Sequence, residues 1–178
     1  AGSSIGHPHS QLIAMPVVPP DISGSLNGSK NHFHETGQCV HCLMIEFEKN
    51  EKIRIVFENK SFIVFAPFVS RSAFEMRVFP KKHQASFGFL TEKEERLDLA
   101  EALKVALTKL YKGLNDPPFN FFIHTSPTDS EHFDHYHWHI EIVPKTSIWA
   151  GFELGTGIEI SAIEPENAAK FLRKIKHF

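Results

Sequence analysis

The sequence predicts an α+β domain: an antiparallel sheet of about five strands, one main helix packed on it, and a short C-terminal helix. Three observations carry this. Runs 53–57, 61–67 and 74–80 are short, β-branched or aromatic, and bounded by polar residues, with Glu58-Asn59-Lys60 as one turn. Residues 136–144 alternate cleanly: Tyr136, Trp138, Ile140 and Ile142 point one way, and His135, His137, His139 and Glu141 the other. Between these, Leu97, Ala100, Leu103, Leu107 and Leu110 recur at helical spacing and predict a helix over about 92–112.

In chain order, HPHSQ (7–11) and the following LIAMPVVPP read as a strand that ends in prolines, an N-terminal arm over residues 1–20. Residues 21–37 are rich in Gly, Ser, Asn and Asp and predict a flexible connector. Residues 38–178 form the domain proper, opened by CVHC (39–42). TEKE (91–94) has the form of a capping box at the start of the main helix. A further strand is expected over 119–124, a glycine-bearing loop from Phe152, and a last helix opened by Pro165 with Phe171 and Leu172 inward. The start at Ala1, running straight into a strand-like motif, reads as a fragment of a longer protein.

With 178 residues the chain can bury a genuine core. A net charge of -2 and scattered Lys and Arg argue against a nucleic-acid partner. No apolar run reaches bilayer length and no signal peptide is evident, so no membrane partner and a cytoplasmic location are expected. Cys39 and Cys42 are too close for a disulfide framework and read first as a metal pair.

Twelve histidines need sorting. In HPHSQ, alternate positions His7, His9 and Gln11 share a strand face. A neutral imidazole can attack phosphorus through one nitrogen while a backbone carbonyl holds the proton on the other. An amide two residues on can donate to a phosphate oxygen. His9 and Gln11 fit these roles. HYHWHIE (135–141) repeats the spacing, but Glu141 stands where Gln11 would, and its negative charge would repel a phosphate. For the metal, the other two ligands would be His83 and one of His135, His137 or His139, and four Cys or His donors suit Zn²⁺. His41 is expected to be exposed rather than liganding, His32, His34 and His132 to be solvated, and His124 to be either a satisfied core histidine or a site residue.

Taken together, HPHSQ, CVHC, PKKH ending at His83, IHTSP from Ile123, His137-Trp138, IVP (142–144) and GFELGTG from Gly151 resemble the galactose-1-phosphate uridylyltransferase family, the transferase branch of the histidine-triad superfamily. The last set is similar to its plant ADP-glucose phosphorylase branch. The resemblance covers nearly the whole chain apart from 21–37. It implies a histidine-triad-like sheet and a ping-pong nucleotidyltransferase that takes a nucleotide sugar and a hexose 1-phosphate, or inorganic phosphate, through a nucleotidyl-histidine. It implies His9 as nucleophile, Gln11 as phosphate donor, and Ser10, Phe152, Gly155, Thr156 and Gly157 at the substrate. It implies zinc on Cys39, Cys42, His83 and His137, a second zinc partly held by His7, and a homodimer. Bacterial members hold a further metal with two histidines and a glutamate; Glu141 occupies one of those histidine positions, so that site is not carried over. The alternative reading is a zinc-stabilised structural or interaction domain, catalytically incomplete without the first half of the family's fold.

Overall fold

A computed structural model describes residues 6–7, 9–128 and 133–177. Pro8 of HPHSQ and His132 lie outside the described residues. Five antiparallel strands, β1 (Ile55–Glu58), β2 (Phe62–Phe65), β3 (Met76–Pro80), β4 (Phe119–His124) and β5 (His139–Pro144), form one sheet in the order β1-β2-β3-β5-β4. The helices are α1 (Pro20–Thr36), α2 (Val40–Glu51), α3 (Lys93–Leu114), α4 (Gly151–Thr156) and α5 (Pro165–Lys174).

One sheet face builds the main core. Val56, Phe62, Val64, Met76, Val78, Trp138, Ile140 and Ile142 pack with Leu99, Ala102, Ala106 and Leu110 of α3 and with Ala169 and Leu172 of α5. Cross-strand partners Met76 and Ile142, and Val78 and Ile140, continue that surface from β3 to β5. On the opposite face, Ile45 of α2 covers Ile63, Phe65 and Phe79. The alternation foreseen in 136–144 holds from Trp138 to Ile142, although β5 itself starts only at His139; Tyr136 departs from it, packing on His41 and His139 of the opposite face.

The buried stripe of α3 is turned from the expected one. Leu97 is 60% exposed and Ala100 also faces solvent, while Ala102 and Ala106 are fully buried. Alanines at the contact let the helix lie close to the sheet, with Leu103 and Leu107 packed on the flanks. The capping box does not form. Glu92 is the N-cap and makes no side-chain cap bond, because a 3₁₀ turn at Phe87–Phe89 precedes the helix and takes the Thr91 N–H onto the Phe89 carbonyl.

The connector expected over 21–37 is instead helix α1. Pro20 starts it, and Gly37, left-handed at φ 72°, ends it by donating to the Phe33 carbonyl. Its composition is poor for a helix, so packing of Leu26 and Ser29 against α2 decides the conformation. The loop expected from Phe152 is helix α4, closed by left-handed Gly157. The N-terminal strand is absent: residues 9–19 pair with no strand, and Leu12, Ile13, Met15, Val17 and Val18 are exposed. No helix among the described residues is long and apolar enough to cross a membrane.

Two charged side chains fasten α5. Arg54 binds Glu48 at 2.8 Å and Glu166 at 2.7 Å and lies against the rings of Phe47 and Phe68. Lys109, buried in α3, donates to the carbonyls of Leu172 at 2.9 Å and Ile175 at 2.7 Å at the end of α5, where the Leu172 carbonyl also accepts from the Ile175 N–H at 3.2 Å. Gly113 lets α5 come in beside it, since a Cβ there would stand 3.1 Å from the Phe171 ring. Lys109→Met, which keeps the stem and loses the donors, is expected to lower stability by about 2 kcal/mol in urea unfolding.

Candidate functional site

The metal-capable group forms where α2, the β3–α3 loop and the approach to β5 meet. Cys39 is the N-cap of α2, and Cys42 lies one turn in, so both sulfurs reach the same side of the helix start. His83 follows the end of β3. The neighbouring Gln84 then pins this loop to β5: its carbonyl accepts from the Trp138 backbone N–H at 2.9 Å, and its side-chain oxygen accepts from the indole N–H at 3.1 Å. That clamp sets His83 beside His137. Cys42 Sγ is 3.2 Å from His83 Nδ1 and 3.5 Å from His137 Nδ1.

One ligand atom from each of Cys39, Cys42, His83 and His137 lies within 4.8 Å of all the others. A tetrahedral ion with bonds of about 2.0–2.3 Å has ligand–ligand edges of about 3.3–3.8 Å. Of the three histidines left open for this site, the geometry selects His137. Neither thiol is in a disulfide. A hydrogen bond from Cys42 draws Cys39 down to about 3, against the upward push of burial, and Cys42 is raised in turn. A thiolate is the form a metal binds. Beside the group lies a cavity of about 330 Å³ that includes Phe33, Glu46 and Asp134 in its wall.

His41, expected to be exposed, is buried. Its ring packs on Tyr136 (5.5 Å), Phe79 (5.8 Å) and His139 (5.4 Å). Burial, and then the neighbouring His139, lower its pKa to about 3, so it is a neutral packing group. The helical turn between two cysteines that face one way sends the residue between them inward.

A second group gathers on β4 and β5: His124, His139 and Glu141. His139 Nδ1 is 3.1 Å from the His137 carbonyl oxygen, and the ring stacks between Phe79 (4.6 Å) and His124 (4.9 Å). Burial lowers the pKa of His139. Burial would raise that of Glu141, but His124, His139 and Arg77 outweigh it and hold the carboxyl far below its usual range. Arg71 and Arg77 both bind Glu141, and sequence reasoning singled out neither. The available signal was a charged residue inside the apolar strand Met76-Arg77-Val78, which has to find a partner.

The first motif stands apart. His7, His9, Ser10 and Gln11 are exposed on the arm. His9 Nδ1 lies 3.0 Å from the His7 carbonyl oxygen. That is the same two-residue hold as His139 on His137. Phe152, Gly155, Thr156 and Gly157 are exposed on and just after α4. Among the described residues, neither metal-capable group includes His7.

The fold is of the histidine-triad type. A Zn-bound histidine triad family protein from Mycobacterium smegmatis shares the fold, with a TM-score of 0.53 over 77% of this chain at 18% identity. A family model described as galactose-1-phosphate uridyl transferase, C-terminal domain, matches residues 26–178, and the chain belongs to that family. It is 42% identical to an ADP-glucose phosphorylase of Arabidopsis thaliana over 98% of this chain and 49% of that protein. It is 31% identical to a galactose-1-phosphate uridylyltransferase of Thermotoga maritima over 97% of this chain and 56% of that protein. A crystal structure of an Arabidopsis thaliana ADP-glucose phosphorylase with bound ADP-glucose matches with a TM-score of 0.81 at 41% identity, over 91% of this chain and 51% of that one. The chain thus spans about half the length of these relatives.

Gln84→Met leaves the buried Trp138 indole N–H without its acceptor. The expected loss is about 1–3 kcal/mol of stability by urea unfolding, with Leu110→Ala in the core as a larger reference at about 2–5 kcal/mol.

Proposed function

We propose that this chain is the C-terminal portion of a nucleotidyltransferase that moves a nucleoside monophosphate from a nucleotide sugar to a hexose 1-phosphate or to inorganic phosphate. The observation that carries the reading is the hold on His9. With its Nδ1 proton on the His7 carbonyl, Nε2 keeps a free lone pair.

Nε2 attacks the α-phosphorus, an N–P bond forms, and the P–O bond to the departing sugar 1-phosphate breaks. The oxygen of the acceptor phosphate then attacks the same phosphorus and breaks the N–P bond, which returns the imidazole. Gln11 donates to a phosphoryl oxygen as charge moves onto it. Ser10, Phe152, Gly155, Thr156 and Gly157 contact the substrate, and the bound ADP-glucose of the plant relative supports a nucleotide sugar as that substrate.

Cys39, Cys42, His83 and His137 hold a zinc ion, which ties the start of α2 to β5. The two-thiol, two-imidazole set and the ligand spacing support that metal. His7 is a ligand of a second zinc, completed by residues from outside this chain. A homodimer belongs to the same reading, supported by the exposed apolar side chains Ile148, Trp149, Phe152, Leu154, Ile158 and Ile160. Free thiols at the metal group suit a reducing, cytoplasmic location.

Incubation with ADP-glucose or UDP-glucose, followed by intact mass measurement without acid, is expected to show a gain of one nucleoside monophosphate that His9→Asn abolishes. No gain with either sugar would leave the zinc-stabilised domain as the reading. Chelation is expected to lower Tm by about 10 °C, and a Cys42→Ser variant is expected to show a much smaller drop.

A further inference from the structure

The His124–His139–Glu141 group has metal-ligand chemistry, but both oxygens of its carboxylate are already held by arginines. Arg77 Nη2 stands 3.0 Å from Glu141 Oε1, and the Arg71 guanidinium binds Oε2. His124 Nε2 is 3.4 Å from Oε2 and His139 Nε2 is 3.7 Å from Oε1. Both arginines are also anchored to the fully buried Glu75, Arg77 through Nε at 3.3 Å and Arg71 through its backbone N–H at 2.6 Å. Two carboxylates and two guanidiniums therefore balance inside the cluster.

We propose that this cluster is a closed, metal-free clasp in which Arg71 and Arg77 take the place of a divalent cation. A metal would need the oxygens of Glu141 that the two guanidiniums now hold, one each. It would also stand beside two fixed positive charges in a low-dielectric pocket, where repulsion is weakly screened. His139 keeps the backbone hold that His9 has, but its Nε2 faces a carboxylate. A phosphate approaching that nitrogen meets Glu141 first. The second H-x-H strand is thus neither a second metal centre nor a second nucleophile. It joins β3, β4, β5 and the loop before β3, and it does so whether or not His9 carries nucleotidyl chemistry.

Elemental analysis of protein expressed with zinc, iron and manganese tests this directly. The metal content per chain is expected to be the same in wild type, His124→Asn and Glu141→Gln. A fall of about one ion per chain in either variant would overturn the proposal. In the zinc-loaded protein, Arg71→Met, made on the half-exposed side of the cluster, is expected to take up one added Co²⁺ per chain with visible d–d bands. Wild type should show none, and Glu141→Gln in the Arg71→Met background should remove the bands. If Arg71→Met and Arg71→Met/Arg77→Met keep the wild-type circular dichroism and bind no added Co²⁺, the arginines are not what excludes the cation.

Discussion

The structure depends on the two-residue alternation of β5 and the turn leading into it. The strand is inside the sheet, with β3 on one side and β4 on the other, and residues on both of its faces are buried. One face, Trp138, Ile140 and Ile142, closes the core under α3. The other presents His137, His139 and Glu141, each to a different task. A shift of one residue would put three polar groups into the core and three apolar ones at the site, so packing and chemistry hold the same register.

Strand spacing organises the polar face further. Neighbouring strands lie about 4.8 Å apart, close to a ring-stacking distance. Phe65, Phe79, His139 and His124, from β2, β3, β5 and β4 in turn, stack with centroids 5.5, 4.6 and 4.9 Å apart. His41 reaches this column from α2, between the two cysteines. The metal-capable group and the arginine-held cluster are thus two ends of one buried assembly, the first served by residue 137 just before β5 and the second by residue 141 within it.

The two H-x-H motifs use one local geometry in opposite surroundings. In each, the second imidazole places Nδ1 on the carbonyl two residues earlier, 3.0 Å for His9 and 3.1 Å for His139. A histidine two residues after another can make this bond without help from the rest of the fold. What differs is the group facing Nε2. The position two residues on is neutral Gln11 in one case and anionic Glu141, neutralised by two arginines, in the other. One ring is exposed and the other is stacked and shut in, so the same hold sits in opposite surroundings in the two motifs.

Local periodicity and spacing were enough to establish the α+β class, the antiparallel strands, the main helix and the CxxC pair, because each is written in neighbouring residues. The sequence also paired Cys39 and Cys42 with His83 and, through resemblance, with His137. Features that depend on partners distant in the chain were decided by the tertiary structure. Residues 20–36 are helical because α2 gives Leu26 and Ser29 a surface, although their own propensities favour a loop. The buried face of α3 is set by the alanines that fit the sheet, rather than by the larger leucine stripe. His41 turns inward because Cys39 and Cys42, three residues apart, face the metal group and leave it on the other side of the helix. Arg71 and Arg77 reach Glu141 across 70 and 64 residues of chain, and only the pairing of β3 with β5 brings such side chains together.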